Sequence, residues 1–201
     1  MTKLERFVVC LILMAFMYSI LMANAQKVDP MPIHLDKGWY QIDYRPDLGI
    51  PSKVSWMVRP SDLGPTKRKP TFRFRVDRDT PDPRISSALY TLSGYQRGHM
   101  CPAADRSISK DAMLSTFVMS NICPMIPSIN TGAWKVTEER ARIIARQVGC
   151  CSVIAAPLFF PWDTLRIGKG RIAVPHAFFK ILFTSNPSRV FNWYIIENGY
   201  R

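Results

Sequence analysis

The chain has 201 residues, 47% of them hydrophobic and 11% aromatic, and its 27 Lys and Arg outnumber 15 Asp and Glu to give a formal charge of +12. One domain fits that length, and this much apolar and aromatic surface excludes a disordered chain. Ten Gly and 16 Pro without a period exclude collagen-like and repeat architectures, and the basic surplus favours polyanions such as nucleic acid, anionic lipid or acidic glycan.

At the N-terminus, Lys3 and Arg6 precede an apolar run from Phe7 to Ala23, and Ala23-Asn24-Ala25 puts small residues where a signal peptidase reads. Residues 1–25 therefore read as a cleavable secretory signal and the protein as secreted or periplasmic. An uncleaved anchor is the alternative, since the run is near the lower limit of about 17 residues for a spanning helix. No later stretch is apolar for long enough to span, so no stable membrane association is expected once the signal is gone. The leader contributes a net +1, so the residues after it keep +11 and four cysteines, Cys101, Cys123, Cys150 and Cys151. An oxidising compartment permits disulfides, with three pairings open. Buried thiols stay open for Cys150 and Cys151, and a zinc site would lack any C-x-x-C pair.

Residues 26–36, polar and Pro-containing, read as an extended arm, and residues 37–201 as a single domain. Period-two alternation predicts strands over Trp39–Tyr44, Val54–Val58 and Phe72–Val76, separated by segments dense in Pro, Asp and Gly. Lys67-Arg68-Lys69, followed by Arg73, Arg75 and Arg78, is the densest cationic stretch. Residues 81–108 read mostly as loop, with a short strand near Leu89–Leu92, and Thr116–Ile122 as a strand or buried turn. The clearest helix spans Thr131–Val148, with Glu138 and Glu139 early, Arg140, Arg142 and Arg146 late, and Gly149 just past its end. Thr137, Ala141, Ile144, Ala145 and Val148 make one stripe, with Glu138 and Arg142 at its edge and within reach of each other. Val153–Leu158, Ala177–Phe183 and Val190–Ile196 complete the strands. Strands on both sides of a central helix predict an α+β fold with a mixed or antiparallel sheet.

Among the three histidines, His99 has the most suggestive setting, Gln96-Arg97-Gly98-His99 followed by Pro102-Ala103-Ala104-Asp105. A cation and a possible base sit two residues apart, and Gly98 between them would let backbone approach a ligand closely. Downstream come Asn121 and the four-residue steps Asn130, Trp134, Glu138 and Arg142.

These residues resemble the DNA/RNA non-specific endonucleases of the ββα-metal class, from about Trp39 to Asn198. The family pattern is Asp-Arg-Gly-His, and this chain has Gln96 where Asp is usual. The resemblance implies a ββα-metal finger carrying the active site, with His99 as general base and Asn130 as ligand of Mg²⁺, or of Mn²⁺ or another divalent cation. It further implies Glu138 holding metal-bound waters, Arg97 and Arg142 on the phosphate, and Asn121 orienting the site. DNA and RNA are the implied partners, because such a site touches mainly the backbone they share. Lys67, Arg68, Lys69, Arg73 and Arg75 are expected to add nucleic-acid binding through charge density. Two other classes compete: a catalytically impaired relative that only binds nucleic acid, motivated by Gln96, and a module binding membrane surfaces or anionic glycans, which leaves His99, Asn130 and Glu138 without a purpose.

Overall fold

Alternating burial sets the sheet. In the strand Ile50–Val58 (β3), Val54, Trp56 and Val58 turn inward, and in Cys151–Leu158 (β6), Cys151, Val153 and Ala155 do the same. The computed structural model describes residues 30–185 and 188–199, so the proposed leader and the first four residues of the arm lie outside the described residues. The arm's last four residues, Ile33–Asp36, form β1, which pairs with Gln41–Arg45 (β2). With Ala177–Ser185 (β9) and Ser188–Glu197 (β10), these make one six-stranded antiparallel sheet ordered β1-β2-β3-β6-β9-β10. The expected strands at 54–58, 153–158, 177–183 and 190–196 all fall within it. Arg166–Ile167 (β7) and Ile172–Ala173 (β8) form a small separate ladder.

A second pairing positions the chemistry. Gln96–His99 (β4) and Ile122–Met125 (β5) pair antiparallel, with His99 opposite Ile122 and Gln96 opposite Met125. Between them come a 3₁₀ turn at Ala103–Arg106 and the short helix Lys110–Ser115 (α1), capped by Ser109 accepting from the Ala112 N–H. After β5 follow Pro127–Thr131 (α2) and Ala133–Val148 (α3). This β4, β5, α3 arrangement is the expected ββα finger within an α+β fold. The expected helix over 131–148 begins two residues later, because Gly132, at φ −107° and ψ −109°, leaves the helical conformation and separates α2 from α3. Trp134, Thr137, Ala141, Ile144 and Ala145 face the core, whereas Val148 is half-exposed in the last turn.

Three local expectations change. Phe72–Val76 keeps its alternation but makes only a single bridge, Arg75 to Val118, because its neighbour turns into a 3₁₀ segment at Met119–Asn121 before a ladder can extend. Leu89–Leu92 is not a strand: Ser87–Tyr90 is a 3₁₀ turn whose Tyr90 is buried. Residues 96–99, read as loop, are β4. The four cysteines among the described residues are free thiols, with Cys101, Cys123 and Cys151 buried.

Candidate active site

His99 ends β4, and its ring is held between two phenylalanines, with centroids 5.1 Å from Phe74 and 5.0 Å from Phe117. Its carbonyl accepts from Trp134 Nε1 at 2.9 Å, which ties the hairpin to α3. Asn121 fixes the next stretch: its Oδ1 accepts from the Cys101 N–H at 2.9 Å while Nδ2 donates to the Cys101 and Thr116 carbonyls at 2.9 and 3.0 Å. Asn121 is fully buried and does not line the cleft. It holds backbone beside His99, the arrangement an orienting role requires. Gly98 also has a packing reason, since a Cβ there would meet Met125 Sδ at 2.4 Å.

A cleft of about 980 Å³ opens on this hairpin, and His99, Arg97, Asn130, Glu138, Arg142, Lys67 and Arg68 all line it. Arg97 is braced by donating from Nε and Nη2 to the Ser87 carbonyl at 3.2 and 2.8 Å, with its guanidinium over the rings of Tyr90 and Phe74. Arg68 lies over Phe117 at 5.2 Å. Lys69, Arg73 and Arg75 do not line the cleft. Arg73 is turned back onto the Pro70 carbonyl, and Arg75 faces a second hollow with Lys37 and Arg78, because successive residues of an extended segment point to opposite sides and Phe72 and Phe74 take the inner one. Lys135 and Arg146 line the cleft and were missed; their signal is helical spacing, four residues before Glu139 and four after Arg142 on α3.

Glu138 and Arg142 make no ion pair. Arg142 instead donates from Nη1 to Asp105 Oδ1 at 2.8 Å, and the other oxygen of this fully buried carboxylate accepts from Trp56 Nε1 at 2.9 Å. The helical spacing that brought Glu138 within reach was outcompeted by a buried acid that needs a countercharge. Glu138 thus keeps its carboxylate for the cleft, and burial raises its pKa.

Asn130 Nδ2 donates to Gln96 Oε1 at 2.8 Å. The contact uses the amide's donor end and leaves Oδ1 for a cation. A hard divalent ion such as magnesium needs few protein oxygens, keeping several waters. The donor set, one carboxamide oxygen and one nearby carboxylate, fits it. Among the described residues no cluster of three His, Cys, Asp or Glu exists to hold a softer metal. Gln96 supplies the acceptor that orients Asn130, without a charge. Gln96→Leu should therefore weaken divalent-cation binding by about tenfold, in the range for lost outer partners of a metal site. Gln96→Asp should bind at least as tightly as the parent; titration with Mn²⁺ followed by electron paramagnetic resonance reads both.

His99 is only 9% exposed, and its Nε2 has no hydrogen-bond partner among the described residues. Burial, reinforced by the Arg68 charge, lowers its pKa to about 3, so the ring is a neutral base at every physiological pH. A depressed pKa means that the unfolded chain takes up a proton below about 6.5 that the folded one refuses. This group's stability contribution is complete above that pH and is lost as pH falls toward 3, at up to about 1.4 kcal/mol per pH unit. Glu138, with its raised pKa, contributes with the opposite sign in the overlapping range. Denaturant unfolding between pH 7 and 4.5 should therefore show His99→Gln gaining stability relative to the parent as pH falls; parallel profiles would contradict the assignment.

The arrangement offers a neutral base, hard oxygen donors and four guanidinium groups around one cleft. A model of the DNA/RNA non-specific endonuclease family matches residues 22–200. The chain is 30% identical over 162 residues to a nuclease of Nostoc sp., covering 80% of this chain and 57% of that protein. It is 37% identical over 108 residues to human mitochondrial endonuclease G, covering 49% of this chain and 36% of the relative. The chain thus spans about half the length of these relatives or less. Its fold is similar to that in the crystal structure of an EndoG/EndoGI complex, with a TM-score of 0.75 at 21% identity, covering 85% of this chain and 76% of that one. The chain belongs to the DNA/RNA non-specific endonuclease family.

Proposed function

We propose that the protein is a secreted, divalent-cation-dependent endonuclease that hydrolyses phosphodiester bonds in DNA and RNA with little sequence or sugar preference. The convergence of His99, Asn130, Glu138, Arg97 and Arg142 on one cleft carries this reading. His99, kept neutral by burial, takes the proton of the attacking water. Asn130 Oδ1 and, through water, Glu138 would hold the divalent cation, which would supply positive charge at the leaving oxygen. Arg68, Arg97 and Arg142 draw in the phosphate and offset the charge it gains, since the guanidinium fork matches its oxygens. Lys67, Lys135 and Arg146 extend the basic wall along which backbone phosphates run.

Secretion rests on the leader-like residues 1–25. Gln96 in place of an acid motivates the rival, a nucleic-acid binder without activity, but its bond to Asn130 favours a working cation site. Plasmid and RNA incubated with purified protein and magnesium should both be fragmented, and excess chelator should stop it. Intact but gel-shifted plasmid would favour the binder, and heparin or vesicle binding with no effect on either nucleic acid would favour the glycan or membrane module.

A further inference from the structure

Lys180, in the middle of β9, is fully buried, its Nζ has no hydrogen-bond partner among the described residues, and it sits 3.5 Å from the centre of the Trp134 ring. A charge taken out of water without hydrogen bonds is costly, and contact with an aromatic face returns only part of that cost. Its remaining support is electrostatic. The charges felt at Lys180 are Glu138 first, then Asp105, opposed by Arg142, and burial lowers its own pKa. Trp134 lies one helical turn before Glu138 on α3 and also bonds the His99 carbonyl.

Resting on the proposed nuclease site, we infer that Lys180 is a positioning residue: its buried ammonium, seated on Trp134, is the countercharge that leaves Glu138 turned to the cleft and able to support the divalent cation.

The charge balance explains how. Two carboxylates, Asp105 and Glu138, share two cations, Arg142 and Lys180. Arg142 is committed to Asp105 at 2.8 Å, which leaves Lys180, seated on the Trp134 ring one turn before Glu138, as the cation to balance Glu138. Without Lys180, both acids compete for one guanidinium that lies four residues from Glu138 on the same helix. Glu138 is then drawn along the helix toward Arg142, away from the cation, and Arg142 is drawn back from the phosphate. Lys180 never meets substrate and acts only through this balance.

The test is a double-mutant cycle on Mn²⁺ affinity, read by electron paramagnetic resonance without nucleic acid, using purified parent, Lys180→Met, Glu138→Gln and the double variant. Lys180→Met should bind Mn²⁺ at least about tenfold more weakly, as other outer-partner losses do, while adding Lys180→Met to Glu138→Gln should change affinity less than about twofold. Equal losses in both backgrounds would show a general structural effect and overturn the inference, as would unchanged affinity in Lys180→Met. If Lys180→Met does not fold, the double variant, lacking both charges, should fold; failure of both to fold would also overturn it. A parent that neither binds Mn²⁺ nor cleaves DNA would instead defeat the nuclease reading itself.

Discussion

His99→Ala is expected to lower turnover by about 10²–10⁴-fold, the usual cost of losing a general base, while DNA affinity stays within a few-fold of the parent. The separation follows from the ring's charge state. Burial and Arg68 keep it neutral, so it adds nothing to phosphate attraction, which the guanidinium and ammonium groups of the cleft supply. Because the ring packs between Phe74 and Phe117, the alanine leaves a gap and costs stability. His99→Gln fills more of that space and should be equally slow. Single-turnover cleavage of a labelled duplex, beside binding measured with chelator present, reads both effects. Raising magnesium should rescue neither variant.

Asn130→Ala is expected to fail differently. Its loss removes a protein oxygen from a site that offers the cation few of them, and leaves Gln96 Oε1 without its donor. Cleavage at low magnesium should fall by about a hundredfold or more, and the magnesium concentration for half-maximal rate should rise at least about tenfold. Unlike the histidine variants, this one should recover in part at high magnesium or with Mn²⁺. A fall in rate with unchanged magnesium dependence would remove Asn130 from the cation's shell.

The parts of this site legible in the sequence were those written in local spacing. Arg97 and His99, two apart in β4, and Glu138 and Arg142, four apart on α3, arrive at one cleft as their positions implied. Alternation found β2 and β3 for the same reason, and apolar, β-prone runs found β6, β9 and β10. Alternation misled at Phe72–Val76, since period two reports which side chains face in and not whether a partner strand lies alongside. Charge density marks a stretch and not a direction: of its five cations Lys67 and Arg68 line the cleft, while Arg73 and Arg75 lie on the side of their extended segment opposite Phe72 and Phe74. The partners of Arg142 and Asn130 were illegible for a different reason. Asp105 and Gln96 are 37 and 34 residues away, and only the folded hairpin and helix bring them into contact. Lys180 was hidden inside a run that reads simply as an apolar strand, and nothing local marks it as a cation beneath the site.

In the proposed site one cation and one imidazole face the same phosphate. Crystals of the His99→Ala protein soaked with Mn²⁺ and a short oligonucleotide, examined by anomalous scattering, test it most directly. A peak at coordination distance from Asn130 Oδ1, with a backbone phosphate between it and the space the imidazole vacated, is the predicted result. Manganese bound elsewhere, or a phosphate lying outside the cleft lined by Arg97 and Arg142, would contradict it.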